Sequence, residues 1–108
     1  FDAAAPQALA QWWAEQFGAD VQTLIPDEFF VAHFEEGPDL GFQKVDAPTP
    51  GKNKLHVDFH LDGDIEPEVT RLKAAGATEV ERHAFGDQAR WVVLADPEGN
   101  VFCIAGAS

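Results

Sequence analysis

The stretch Leu55-His56-Val57-Asp58-Phe59-His60-Leu61 alternates apolar and polar residues without a break. A strand sends successive side chains to opposite faces, which places His56, Asp58 and His60 in one row with neighbours about 6.5 to 7 Å apart. Such a row can ligate a metal, or set an imidazole general base beside a carboxylate that orients it. The competing account is an internal hydrogen-bond network in which Asp58 fixes a histidine tautomer. Cys103, the one cysteine of the chain, can face His56 across a sheet as a thiolate pair, or be inert filling of a strand. Other chemistries lack their residues: the single Ser is Ser108 and there is no Tyr, so a serine triad is excluded, and no Gly-rich phosphate loop precedes a helix.

The elements that must hold these residues come in two similar sets. Gly18 and Gly76 each stop a helical pattern 58 positions apart (76 − 18), and Leu40-Gly41-Phe42-Gln43 matches Asn100-Val101-Phe102-Cys103 at an offset of 60 (102 − 42). Gln43 is thereby the counterpart of Cys103. In the first set Pro6 opens a helix carrying Leu9, Trp12, Trp13 and Phe17 at helical spacing, followed by strands at 21–25, 29–34 and 40–45. In the second, the strand at 55–61 precedes a helix capped by Asp64, with Glu66 and Glu68 in its first turn and Arg71 and Lys73 in its last, as the helix dipole favours. Strands at 78–82, 90–94 and 100–105 follow, the last two joined by the turn Asp96-Pro97-Glu98-Gly99-Asn100. The order is β-α-β-β-β twice: an α+β fold in a single domain, with module one at 1–46, a linker at 47–53 and module two at 54–108. Leu55, Val57, Phe59 and Leu61 are expected to face the helix, leaving the polar row to the other side. The 58-residue offset lays Phe1-Asp2 on Phe59-His60, so the opening strand of module one falls mostly upstream of Phe1.

Composition narrows the partners. The 108 residues are 45% hydrophobic with three Trp and nine Phe, enough for one small core. Nineteen acidic against seven basic side chains give a formal charge of −12, which argues against nucleic acid and anionic membranes. No apolar run approaches a membrane span and no secretory signal opens the chain, which points to the cytoplasm. Trp12, Trp13, Trp91 and Phe29-Phe30 read mainly as core, with one or two free to line a cleft. Phe85-Gly86-Asp87-Gln88 is a candidate lid, and His33 and His83 read as isolated surface histidines.

The segments Trp12-Trp13-Ala14 to Gly18, Lys52-Asn53-Lys54-Leu55-His56-Val57-Asp58 and Trp91-Val92-Val93-Leu94-Ala95-Asp96-Pro97-Glu98-Gly99-Asn100-Val101-Phe102-Cys103 together resemble the vicinal oxygen chelate superfamily, which includes glyoxalase, extradiol dioxygenases and bleomycin-resistance proteins, and within it the glyoxalase-like branch. The resemblance implies that the two modules form a curved mixed sheet around a cleft that takes a small molecule. It also implies metal ligands on the first and last strands of each module. His56 and Gln43 occupy two such positions and Cys103 a third, where metal-dependent relatives carry carboxylates at the last-strand positions. The expectation is a small-molecule-binding protein of the bleomycin-resistance kind, with Gln43, His56, Asp58, His60 and Cys103 lining the cleft and no metal. The alternative is a lyase, isomerase or dioxygenase using Zn, Fe, Mn or Ni held by His56 with Gln43 assisting. Relatives of this size usually dimerise, so a homodimer is expected, covering the sheet edge that an incomplete first strand would expose.

Overall fold

The computed structural model describes residues 1–51, 53, 55–85 and 89–106, without the side chains of Phe85 and Ala89. The chain divides into two compact units, Phe1–Pro50 and Gly51–Ser108. Each runs β-α-β-β-β.

In the first unit β1 (Asp2–Ala3), α1 (Pro6–Phe17), β2 (Asp20–Ile25), β3 (Phe29–His33) and β4 (Leu40–Lys44) give a four-stranded sheet ordered β1-β4-β3-β2. β1 runs parallel to β4 and the other pairs are antiparallel. α1 begins at Pro6, where a missing N–H costs nothing. It ends at Gly18, whose φ of 73° is accessible without a Cβ penalty, and the Ala19 N–H closes the turn on the Ala14 carbonyl at 2.9 Å. Trp13 is fully buried among the rings of Phe1, Trp12 and Phe17, and Phe1 stacks on Phe42 at 4.9 Å. Leu9, Ala10, Phe30 and Ala32 are buried as well.

The second unit comprises β5 (Val57–Leu61), α2 (Glu66–Ala74), β6 (Thr78–Phe85), β7 (Ala89–Ala95) and β8 (Val101–Gly106), ordered β5-β8-β7-β6 with β5 parallel to β8. Asp64 accepts the Glu66 N–H at 3.0 Å, so it serves the helix start as expected although Ile65 holds the cap position. At the other end the Ala77 and Gly76 N–H groups donate to the Leu72 and Lys73 carbonyls at 3.0 and 3.1 Å. One face of the sheet carries Val92, Leu94, Phe102 and Ile104, all buried. α2 starts on that face: a Cβ on Gly106 would lie 2.6 Å from Ile65 Cγ2, so a larger residue there would push the helix off. Asp96, buried in the β7–β8 turn, accepts the Glu98 and Asn100 N–H groups at 2.9 Å each.

Three details differ from the sequence expectation. The strand begins at Val57, and Leu55 is 78% exposed rather than facing the core. Ahead of Val57 the side chain of Asn53 replaces a backbone partner for β8: its Oδ1 accepts the Val101 N–H at 2.7 Å, and its Nδ2 donates to the carbonyls of Val101, at 3.1 Å, and Leu55. Second, the parallel registers pair Asp2 with Gln43 and Asp58 with Cys103. Asp2 therefore takes the place of Asp58, not of His60, because the connection Asp62-Gly63-Asp64-Ile65 into α2 is longer than Ala4-Ala5 into α1. Third, β6 continues to Phe85 after a register shift between Glu79 and Glu81. Gly86, Asp87 and Gln88 of the candidate lid lie outside the described residues.

Among the described residues no helix is long and apolar enough to cross a membrane.

Candidate functional site

Strand pairing lays out the second face of the module-two sheet residue by residue, because partners in register point to the same side. One row across the sheet reads Asp58, Cys103, Val93, Glu81. The next reads His60, Ala105, Trp91, His83. His56, Asp58 and His60 are exposed, as the alternation requires, whereas Cys103 is buried with Val93 and Val101, against which Trp91 and Ala95 pack. A polar row on β5 thus borders an apolar strip on β8 and β7.

His56, Asp58 and Cys103 come together. One ligating atom from each lies within 4.8 Å of the others, and Cys103 Sγ is 3.9 Å from His56 Nδ1. Asn53 sets this spacing, since it ties Leu55, the neighbour of His56, to Val101, two residues before Cys103. His60 stands a further two residues along β5, roughly 6.6 Å beyond Asp58, and is not part of the group. Gln43 is exposed on β4 of the other unit, opposite Asp2.

Two contributions escaped the sequence reading. His83 is not isolated: it stacks on Trp91 with ring centroids 5.0 Å apart and meets Glu81 at 3.0 Å. The strand expected at 78–82 stops one residue short of His83, so its pairing with Trp91 was missed. Asn53 gave no signal, because an amide standing in for a strand partner has no local pattern. Trp91 is half-buried on β7, separated from His60 of the polar row by Ala105 of β8, whereas Trp12, Trp13 and Phe30 belong to the core of the first unit.

The strongest electrostatic cluster lies elsewhere. Arg82 reaches Glu66 at 2.6 Å and Glu79 at 2.9 Å, tying the first turn of α2 to β6. Hydrogen bonds from Arg82 hold both carboxyls below the usual carboxylate range and raise the guanidinium in turn. This is a structural tie at the surface, on the opposite face of the sheet from Asp58 and on the strand farthest from β5.

The donors decide how well a metal would fit. Gln43 and Cys103 stand where the resemblance expects carboxylates, so the four-strand ligand pattern does not fit this chain. The imidazole, carboxylate and thiol of the second module do form a compact donor group.

The family model of the glyoxalase-like domain matches residues 1–105. No curated protein matches the sequence. Among solved structures, a glyoxalase/bleomycin resistance protein/dioxygenase family enzyme from Burkholderia phytofirmans PsJN superposes with a TM-score of 0.82 at 21% identity, covering 100% of this chain and 94% of that one. A glyoxalase-related enzyme from Fulvimarina pelagi gives 0.75 at 21% identity, covering 98% and 83%. Lactoylglutathione lyase from Agrobacterium tumefaciens gives 0.60 at 18%, covering 98% and 88%.

Proposed function

The chain belongs to the glyoxalase-like domain family, and on that premise we propose that it binds a small organic molecule on the polar face of its second module. His56, Asp58, His60 and Cys103 are the contact residues, and Gln43 is the matching position of the first module. The observation that carries this reading is the adjacency, on one sheet face, of an exposed polar row and an apolar strip ending in the half-buried Trp91. That combination suits a ligand with an aromatic or aliphatic body and a polar or cationic head: Asp58 supplies an acceptor and charge, the histidines supply adaptable donors, and Trp91 a flat apolar surface. The acidic excess of the chain favours a cation over an anion. The inherited metal set is not part of this reading. The protein is further read as a cytoplasmic homodimer without nucleic-acid partners.

A panel of small aromatic and cationic compounds screened by thermal unfolding tests the reading. A compound at about 100 times its dissociation constant should stabilise the protein by about 2.7 kcal/mol, raising the melting temperature by roughly 10 °C. That gain should vanish in Asp58→Asn/His60→Ala. Equal stabilisation of wild type and variant would refute the placement.

One observation favours a second reading. The His56, Asp58 and Cys103 group is compatible with a divalent-metal-dependent lyase, isomerase or dioxygenase. Turnover of a vicinal-oxygen substrate that stops on chelation would establish it over the binder.

A further inference from the structure

We propose that Glu81 and Trp91 form a recognition site for an organic cation, and that His83 is its built-in occupant, held over the site until a ligand displaces it. The site lies on β6 and β7, across the sheet from the polar row of β5. It goes beyond the reading above, because it needs neither Asp58 nor His60.

Three observations carry the assignment. The first is placement. In the β6–β7 ladder His83 pairs with Trp91 and Glu81 with Val93, so all four side chains stand on one side of the sheet. Val93 is buried and Trp91 packs against its cluster, which seats the indole on an apolar base. The second is contact. The imidazole lies over the indole, with ring centroids 5.0 Å apart and planes 20° from parallel. Its Nε2 is 3.0 Å from Glu81 Oε2, and since an ionised carboxylate only accepts, Nε2 carries the proton and donates it. A flat ring on an indole with an N–H aimed at a carboxylate is how an aromatic face and an acid together hold an organic cation. His83 fills the place of such a ligand. The third is charge. Among the described residues the one ion-pair partner of Glu81 is His83. Arg82, next along β6, is turned to the other face, where Glu66 and Glu79 engage it. Glu81 is thus left without a permanently charged partner in a chain of formal charge −12, which draws cations toward it.

The occupant is free to leave. The side chains of His83 and Glu81 are 41% and 60% exposed, and β6 is the outermost strand of its sheet, so only β7 flanks His83. Exposed side chains change rotamer within nanoseconds, so the imidazole can turn out to solvent without disturbing the core. A contact that covers the indole about nine-tenths of the time weakens the apparent affinity of a competing ligand about tenfold. The ligand class is a small cation whose charge sits on a methylated or aromatic nitrogen: its flat or methyl surface takes the Trp91 face and its charge meets Glu81.

The test titrates the full chain with benzyltrimethylammonium and follows the ¹⁵N–¹H signal of the Trp91 indole, assigned by its absence in Trp91→Phe, together with the Glu81 and His83 amides. The expected result is a saturable shift of all three signals. His83→Ala, which removes the occupant, should bind the cation about three- to tenfold tighter, whereas a histidine that served as part of the wall would weaken binding when removed. Glu81→Gln should bind it about two- to fivefold more weakly, as for an exposed charge pair. Asp58→Asn/His60→Ala should bind it like wild type. His83 and Glu81 are exposed, and unchanged amide signals outside β6 and β7 verify that each variant is folded. Absence of a saturable shift at Trp91, binding to His83→Ala no tighter than to wild type, undiminished binding to Glu81→Gln, or loss in Asp58→Asn/His60→Ala would each overturn the proposal. The thermal screen reads Asp58 and His60 and this titration reads Glu81 and His83, so the two readings fail separately.

Discussion

Asn53→Ala should loosen the framework of the candidate site while leaving every proposed contact residue in place. Asn53 makes three side-chain hydrogen bonds, one accepted from the Val101 N–H at 2.7 Å and two donated, to the carbonyls of Val101 and Leu55. The carbonyl of exposed Leu55 can turn to water, so its loss costs little. Val101 is buried, and an N–H left there without a partner costs about 1–3 kcal/mol, to which the lost Nδ2 bond adds about 1 kcal/mol. The expected total is about 2–4 kcal/mol. Amide hydrogen exchange measured by NMR reads this locally: the Val101 amide should lose protection by roughly 30- to 700-fold relative to wild type, by the conversion of 1.4 kcal/mol per factor of ten. Asn53→Asp keeps the acceptor for Val101 N–H and loses the donor, so Val101 protection should largely survive in it. Unchanged protection of Val101 in Asn53→Ala, or equal loss in both variants, would refute the idea that this amide substitutes for a strand partner.

Three further outcomes follow from packing and charge. Gly106→Ala places a Cβ 2.6 Å from Ile65 Cγ2 and 3.1 Å from two backbone oxygens; overpacking of this kind should cost about 1–3 kcal/mol in urea unfolding, and a neutral result would mean that α2 is not seated on β8. Trp13→Ala removes a fully buried ring and should cost about 3–5 kcal/mol, against under about 0.5 kcal/mol for the exposed Gln22→Ala on β2. Glu66 and Glu79 are held below the ordinary value of 4.5 chiefly by hydrogen bonds from Arg82, so their stabilising contribution is complete above that pH and is lost as pH falls through the lowered values. Arg82→Gln should therefore flatten the acid limb of a stability-against-pH curve, by a small amount because the groups are exposed; an unchanged slope would contradict the tie.

Much of the fold was legible because its signals are local. Pro6 and Gly18 bracket α1, the alternation from Val57 to Leu61 marks a strand buried on one side, and Asp96-Pro97-Glu98-Gly99-Asn100 is a turn whose carboxylate feeds its own backbone. The exposed row of His56, Asp58 and His60 follows from the same alternation. What was hidden depends on partners distant in sequence. The pairing of Asp58 with Cys103 is a register between strands over forty residues apart, and a repeat offset taken from helix ends misplaces it by two positions. Leu55 continues the apolar pattern but lies outside the strand, because the strand begins where the Asn53 side chain stops serving β8. His83 looked solitary until the β6–β7 hairpin stacked it on Trp91.

The central claim is that the second module's polar face holds the ligand. It is tested most directly by ¹⁵N NMR of the protein titrated with the compound that stabilises it most in the thermal screen. The account predicts that the perturbed amides cluster at Val57 to Leu61, Trp91 to Ala95 and Val101 to Ala105. Perturbations gathered instead on α1 or α2, with those three strands unmoved, would contradict it.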